Sequence, residues 1–529
     1  MSINRIHTDI LKALITSETY MHISDIMKKS SIKVTPRAFQ EALSDLTAAN
    51  RISSIGKAST TQYILDQIQR SYPTASFLYV FKDGLVVGQL FRVHGIFRFY
   101  YTSEYLANYS NAIPTISLSI KGIDFDELLP AVFEDNLPEG INREILELTH
   151  KEADEFEILN LLNDNIGDLC FSKSTEKCKI VGKEAIGYLS SLDSILGDHC
   201  KINLLEHFDI QIEYEELFPD DIDMSKLKAL KSEGISGFQY KKLVNVNFGA
   251  KTIIQDENSH QYILKPYQKT KANPDSEYYF PHSALNEHLH LSFAKNTLGL
   301  RVPYSAIVST EGSEEFHYLI KRFDRKGVNR FAKATFSVFL GLRSENKYNT
   351  TSEKMFKRIA KELISPKERM ELLKHYFYSI MVVHEDLHTK NLSLMFDQGK
   401  VLFAPLYDMC CTGLYESTKG YESHLSINGK RTRIRPNDFK GLCKSVNIDF
   451  KSFKEIAFIM VQKYANEMPS YFDEIEKLEE MCFFKKKYKT TRGNTTPKLV
   501  IIEKVSFVDI LREHHKNRVK DLNELGWKG

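Results

Sequence analysis

The chain has almost no net charge: 71 Lys and Arg stand against 69 Asp and Glu in 529 residues, which leaves +2. No global field therefore draws it to nucleic acid or to a membrane surface, and any basic patch must be local. Cysteine is scarce as well. The seven cysteines are odd in number and include no C-x-x-C pair, so they do not read as a disulfide framework and fit a reducing compartment. The adjacent Cys410 and Cys411 read as buried thiols rather than ligands. No apolar run reaches the roughly 20 residues of a membrane-spanning helix, and Met-Ser-Ile-Asn-Arg lacks the apolar core of a signal peptide. A cytoplasmic protein with no membrane partner is expected, export by a specialised secretion system being left open. Repeats and low-complexity tracts are missing too, and tryptophan occurs once, at Trp527.

What is present suffices for several cores, because 529 residues exceed one ordinary domain. Residues 1–65 read as a small unit of their own. Ile6, Ile10, Leu11, Leu14 and Ile15 make a helical stripe, Ser24 is placed to cap a short second helix over 25–29, and Thr35-Pro36 starts a third that carries Phe39, Leu43 and Leu46. Two short strands, 51–55 and 60–65, follow around Gly56-Lys57. This order is that of a winged helix-turn-helix, whose third helix can enter a major groove. Its outward face would offer Arg37, Gln40, Glu41 and Ser44, with Lys57 on the wing. Eight Lys and Arg against five Asp and Glu over residues 1–65 is a thin basic excess for DNA, so a protein-docking role stays open beside DNA binding.

From residue 72 the pattern alternates as strands. F-L-Y-V-F-K-D-G-L-V-V-G-Q-L turns on Asp83-Gly84, I-F-R-F-Y-Y extends the sheet, and an acidic, helix-rich run spans 124–157. The charged stretch 201–232 reads as a linker. Beyond it lies G-I-S-G-F-Q-Y-K, a glycine-spaced turn whose backbone N–H groups could approach phosphate. Y-I-L-K places Lys265 at a strand end, Asn286-Glu287 opens an apolar helix, and Y-L-I-K-R-F-D-R leaves the sheet as a hinge would.

The stretch around which the rest is organised runs from His384 to Asp408. Asp386 and Asn391 stand five apart in a loop after an apolar helix. Two short strands, 392–396 and 401–404, then form a hairpin that should bring Asn391 and Asp408 together. Two oxygen ligands beside a free carboxylate suit phosphoryl transfer from Mg-ATP, the spacing being that of the protein-kinase catalytic loop. A polar turn with an Asx contact is the plainer reading of an isolated D-x4-N. The fixed order of glycine turn, Lys, Glu, hinge, Asp-x4-Asn and Asp favours the kinase.

Over roughly residues 75–465 the sequence resembles the HipA family of serine/threonine kinases, the toxin halves of bacterial toxin–antitoxin pairs. V-F-K-D-G-L-V-V-G-Q-L, I-P-T-I-S-L-S-I and F-E-D-N-L-P-E-G resemble the family's N-terminal subdomain. I-S-G-F-Q-Y-K, Y-I-L-K-P, N-E, K-R-F-D-R, D-L-H-T-K-N and A-P-L-Y-D resemble its kinase motifs. The resemblance implies an α+β multidomain architecture. It comprises a small β-rich N-terminal subdomain (71–200), a linker (201–232), and a protein-kinase-like bilobal fold with an N-lobe (233–335) and an all-helical C-terminal lobe (336–529); the winged helix (1–70), read from the residues themselves, lies outside the family's ordinary pattern and precedes them.

The resemblance also implies a catalytic set of Asp386 as base, with His388 and Lys390 supporting the loop. Asn391 and Asp408 would hold Mg²⁺. ATP would be held by Gly234, Ser236, Gly237, Gln239, Lys265 and Glu287, with Lys321 and Phe323 at the adenine hinge. Val383-His384-Glu385-Asp386 departs from the family's Gly-Asn-x-Asp. Ser236 is the candidate for self-phosphorylation in the glycine-rich loop, Ser232 a weaker one. The implied substrate is a protein, an aminoacyl-tRNA synthetase or other translation factor, and the implied outcome is growth arrest. DNA contact through Arg37, Gln40, Ser44 and Lys57, a separate antitoxin and a homodimer are left open as partners. A nucleotide-sensing DNA regulator and a host-directed kinase effector are the alternatives. The basic, aromatic run 484–489 reads as a solvated loop or a nucleic-acid contact, and 505–525 as a closing amphipathic helix.

Overall fold

A computed structural model of the chain describes residues 5–15, 17, 20–30, 34–48, 51–65, 76–82, 85–93, 96–102, 105, 123–124, 128–151, 153–162, 164–175, 192–196, 207–210, 239–250, 252–254, 260–276, 278–310, 313–397, 400–416, 418–478, 481–489 and 498–528. The N-terminal unit runs α1 (Arg5–Ile15), β1 (Met21–His22), α2 (Ile23–Ser30), α3 (Pro36–Ala48), β2 (Ile52–Ile55) and β3 (Gln62–Leu65), with the strands in the order β1-β3-β2. Pro36 opens α3 while Thr35 Oγ1 accepts from Ala38 N at 3.3 Å. Phe39, Ala42, Leu43 and Leu46, spaced at helical period, are buried against Ile10, Leu11, Leu14 and Ile26. Ser24 does not cap α2, because the helix begins one residue before it. The His22 ring at the end of β1 takes that place, accepting from Ser24 N at 3.4 Å.

The second unit is a five-stranded sheet of β4 (Ser76–Lys82), β5 (Leu85–Val93), β6 (Ile96–Tyr101), β7 (Ile123–Asp124) and, after three helices, β8 (Leu169–Ser172), in the order β7-β6-β5-β4-β8. The helices are α4 (Ala131–Glu134), α5 (Gly140–Thr149) and α6 (Glu155–Leu161). Phe133 of α4 closes the sheet face, 5.1 Å from Phe99 and 6.0 Å from Phe171 between ring centroids. The Asp83-Gly84 turn and the I-P-T-I-S-L-S-I stretch lie outside the described residues.

A short helix, α7 (Leu192–Leu196), precedes a six-stranded sheet of β9 (His207–Ile210), β10 (Lys242–Asn247), β11 (Thr252–Ile254), β12 (Tyr262–Lys265), β13 (Ser305–Thr310) and β14 (His317–Lys321), ordered β11-β10-β12-β14-β13-β9. Thus 201–232 is not simply a linker: β9 pairs in parallel with β13, His207 opposite Ile307, and covers an edge that would otherwise be left with unpaired backbone groups. Between β12 and β13 come α8 (Lys269–Ala272) and α9 (Ser283–Asn296), the latter buried on every side from Ala284 to Ala294.

The C-terminal lobe is not all helical. After the pair β15 (Arg325–Lys326) and β16 (Asn329–Arg330), strand β17 (Ala332–Thr335) leads into α10 (Phe336–Leu340), α11 (Ser352–Ile359) and α12 (Pro366–Met381). The hairpin of β18 (Ser393–Asp397) and β19 (Lys400–Phe403) forms, but β17 pairs with β18, giving the three-stranded order β17-β18-β19. After α13 (Lys440–Ser445) and α14 (Phe450–Ile475), a second hairpin joins β20 (Cys482–Lys489) to β21 (Lys498–Ser506). The basic run 484–489 is therefore strand, and α15 (Phe507–Glu524) starts only after β21, where Ser506 Oγ accepts from Val508 N. Trp527 is fully buried against Phe377 and Phe439 and donates to Ile434 O at 2.8 Å. Among the described residues no helix is long and apolar enough to cross a membrane.

Two buried ion clusters bind the second unit to the rest. Arg322 and Arg325 reach Asp164 at 2.7 and 2.9 Å, and Gly167 N donates to Asp324 Oδ2 at 2.6 Å. In the other cluster the Lys390 ammonium meets Glu139, Glu134 at 3.3 Å and Ser344 Oγ at 2.5 Å. Burial works against the Glu139 charge, but Lys390, Ser344 and Lys347 outweigh it and hold the carboxyl down at about 2. Asp164→Ala leaves Arg322 and Arg325 to share the Asp324 carboxylate, one buried positive charge in excess, and should cost about 3–5 kcal/mol in denaturant unfolding. A folded pKa below the unfolded value gives stability that is complete above pH 4.5 and is lost as pH falls toward 2. Thermal melts from pH 5 to 2.5 should show that loss, and Glu139→Gln should flatten it.

Candidate active site

Three elements converge on one ammonium. β12 ends at Lys265, whose Nζ donates to Glu287 Oε1 and Oε2 of α9, both at 2.8 Å, and to Asp408 Oδ1 at 2.6 Å. Burial opposes the Lys265 charge, but Asp408 and Glu287 outweigh it and raise its pKa above the ordinary lysine value. Burial likewise opposes the Asp408 charge, but Lys265 and Lys241 outweigh it and hold the carboxyl well below the usual range. The other carboxylate oxygen, Oδ2, accepts from Asn391 Nδ2 at 2.9 Å. The β18–β19 hairpin thus brings Asn391 and Asp408 into contact, with the amide nitrogen turned to the carboxylate.

The loop between α12 and β18 is held rigidly. Asn391 Oδ1 accepts from His388 N at 3.0 Å, and His388 Nδ1 accepts from Lys390 N at 3.2 Å. Burial, with Lys347 nearby, pushes the His388 imidazole down to about 3, so it braces the loop as a neutral ring. Lys390 points away from Asp408, into the Glu134/Glu139 cluster. Asp386 differs from both: it is exposed, and its Oδ1 accepts from the Tyr348 hydroxyl.

A second knot ties this loop to the segment after Asp408. Val383 has φ 57°, the left-handed region that a β-branched residue rarely enters, and its carbonyl accepts from Thr412 N at 3.1 Å, Gly413 N at 3.2 Å and Thr412 Oγ1 at 2.9 Å. Val383 stands where the resembled family has glycine. His384 Nδ1 donates to Cys410 O at 3.0 Å. A Cβ on Gly413 would come within 2.7 Å of His514 and 3.0 Å of Val383, so the close approach of the two loops needs glycine there.

Lys321 turns its ammonium onto Gln261 Oε1, Arg322 O and Arg325 O at 3.0–3.2 Å, and burial lowers its pKa to about 7. Lys265 lies opposite Tyr318 and Lys321 opposite Tyr262, so the two lysines stand at opposite ends of the β12–β14 pair, roughly 10 Å apart. Phe323 lies 5.4 Å from the ring of Tyr407, the residue before Asp408. Gln239 donates to Pro266 O at 3.2 Å, just past Lys265. Gly234, Ser236 and Gly237, with Ser232, lie outside the described residues. In the N-terminal unit Arg37, Gln40, Ser44 and Lys57 are all exposed, but Arg37 is paired with Glu41 at 3.1 Å.

Sequence reasoning missed several partners. Asn286 clamps the segment after Asp408, donating to Cys411 O at 2.8 Å and accepting from Cys411 N at 3.0 Å; its only signal was its place beside Glu287. Lys241, buried near Asp408, is tied through its backbone to Asn142. Tyr348 lies in a loop with no motif to mark it.

Residues 78–171 match the HipA N-terminal domain, and residues 234–475 match the HipA-like C-terminal domain. Among curated proteins none matches the sequence. A chain of the Shewanella oneidensis MR-1 toxin–antitoxin complex of HipA, HipB and operator DNA superposes with a TM-score of 0.56 at 14% identity, over 84% of this chain and 97% of that one. At that identity the likeness is one of fold. The Helicobacter pylori proinflammatory kinase CtkA aligns at a TM-score of 0.34 and 13% identity, over 51% of this chain and 91% of that one, too weakly to argue from. With the two domain matches in order and together taking in more than half of its length, the chain carries both the N-terminal and the C-terminal domain of the HipA family.

Proposed function

We propose that the chain is a Mg-ATP-dependent serine/threonine protein kinase that acts as a toxin of the HipA type. The observation that carries this reading is the single hydrogen-bonded chain Glu287–Lys265–Asp408–Asn391, which ends in the loop that carries the exposed Asp386. Lys265 would leave Asp408 for the nucleotide phosphates and keep Glu287 as its anchor. Asp408 would then be free to take the cation. Asn391 would turn its amide so that oxygen faces Asp408, giving up the His388 N–H contact. Bound Mg²⁺ would neutralise charge on the phosphate oxygens. Asp386 takes the proton of the acceptor hydroxyl, and its exposure leaves that side open to a protein substrate. An aminoacyl-tRNA synthetase or other translation factor remains the substrate proposed by family resemblance. Ser236, two residues into the matched C-terminal domain, is the proposed self-phosphorylation site.

The N-terminal unit has the helix–strand–helix–helix–strand–strand order of a winged helix, which supports DNA binding through Arg37, Gln40, Ser44 and Lys57. An antitoxin and operator DNA accompany the HipA of the Shewanella complex; the same two classes of partner are proposed here.

With γ-labelled Mg-ATP, Asp386→Asn should retain nucleotide affinity while transfer falls by at least about a hundredfold, and Asp408→Asn should lose both. Label on wild type alone, mapped to the Ser236 peptide, completes the expected result. Nucleotide binding with no transfer to any acceptor would favour the sensor reading. For the first unit, Glu41→Gln releases Arg37 from an exposed pair worth little, so it should tighten DNA binding in gel shifts. Lys57→Ala should weaken binding and shrink its salt dependence by about one charge.

A further inference from the structure

Asp386 is the exposed carboxylate of the site, and a hydroxyl of the same chain already sits on it. The Tyr348 phenol donates to Asp386 Oδ1. Its ring is wedged between His424, 4.1 Å away and tilted, and the edge of His388 at 5.0 Å. The turn that carries it is fixed to the loop of the base, because Lys347 O accepts from Thr389 Oγ1 at 2.9 Å. Burial and the neighbouring Asp386 raise the phenol's pKa above its usual value, so it stays protonated and remains a donor at neutral pH.

Resting on the kinase reading above, we infer that Tyr348 occupies in cis the seat of the acceptor hydroxyl, so that a substrate hydroxyl must displace the phenol to reach Asp386. The geometry of general-base transfer requires the acceptor O–H within hydrogen-bond reach of the base. Tyr348 satisfies that requirement now, and two hydroxyls contending for one carboxylate oxygen make the phenol a competitor of the substrate. Tyr348 therefore sets a threshold on the acceptor: a hydroxyl presented by a well-bound protein segment exchanges with it, whereas water or a loosely held hydroxyl does so poorly. Displacement needs only the Tyr348 side chain to leave its place between the two imidazoles.

The experiment titrates dephosphorylated casein as acceptor, with γ-labelled Mg-ATP, against wild type, Tyr348→Phe and Asp386→Asn. Tyr348→Phe should leave the KM for ATP unchanged and lower the KM for casein roughly tenfold, the worth of one hydrogen bond to a charged group, with kcat not reduced. A fall in kcat with both KM values unchanged would make Tyr348 a brace for the base and overturn the inference. So would phosphate found on Tyr348 of wild type and absent from Asp386→Asn, which would make the phenol a substrate. If no protein transfers label, the kinase reading fails on this acceptor while the seat is still tested chemically. Nitration of Tyr348 by tetranitromethane, mapped by mass spectrometry, should be slow in wild type and several-fold faster in Asp386→Asn, and equal rates would overturn the contact.

Discussion

The buried ammonium of Lys265 is the point on which the site depends. A lysine at the end of a central strand, 5% exposed, is tolerated only if its charge is met, and it is met from two directions: Glu287 on the all-round buried α9, and Asp408 on the loop beyond the β18–β19 hairpin. The sheet, the helix and the C-terminal lobe are thereby fixed to one atom. Lys241 adds a second buried cation nearby, so two lysines face two carboxylates and the cluster is close to neutral. Under the proposed function, a triphosphate entering such a cluster would bring negative charge that the lysines could meet by loosening their hold on Asp408, and that same step would expose the carboxylate to a cation.

The backbone around Asp408 and the base is held against its own preferences. Val383 and Asp408 both lie at positive φ, at a cost of roughly 1–3 kcal/mol each. The Val383 carbonyl gathers three donors from Thr412 and Gly413, and Asn286 locks the next turn through Cys411. Such contacts offset the strain and leave the two loops one relative position. Glycine at 383 would relieve the strain, whereas a side chain at 413 would drive the loops apart.

Much of this was legible in the sequence because it is local. Apolar period and Thr35-Pro36 mark α3, and a turn between two short apolar runs marks the hairpin that joins Asn391 to Asp408. What escaped is non-local. Nothing in K-R-F-D-R tells that Arg322 and Arg325 will pair with Asp164, about 160 residues earlier. Lys390 reads as a catalytic-loop lysine, yet its partners are Glu134 and Glu139, some 250 residues away. The Phe484–Lys489 run reads as a loop because like charges dominate it, and only pairing with β21, where Phe484 faces Lys504 and Lys485 faces Glu503, makes it a strand. Sequence spacing reveals a residue's neighbours along the chain and is silent on which distant charge it will meet.

Those distant charges give the second unit a mechanical role. The segment from Arg343 to Tyr348 touches it at one end, where Arg343 reaches Glu155 at 2.8 Å and Ser344 N donates to Glu134 at 3.1 Å. At the other end it touches the loop of the base through Lys347 O and the Tyr348 phenol. Lys390 spans the same gap directly. A displacement of α4 therefore cannot leave Asp386 untouched: to keep Lys390 and Ser344 paired, either the loop between α12 and β18 follows or a buried charge is left without a partner. Because an unpaired buried charge costs several kcal/mol, following is the cheaper response. The position of Asp386 is thus set as much by the second unit as by the loop on which it stands.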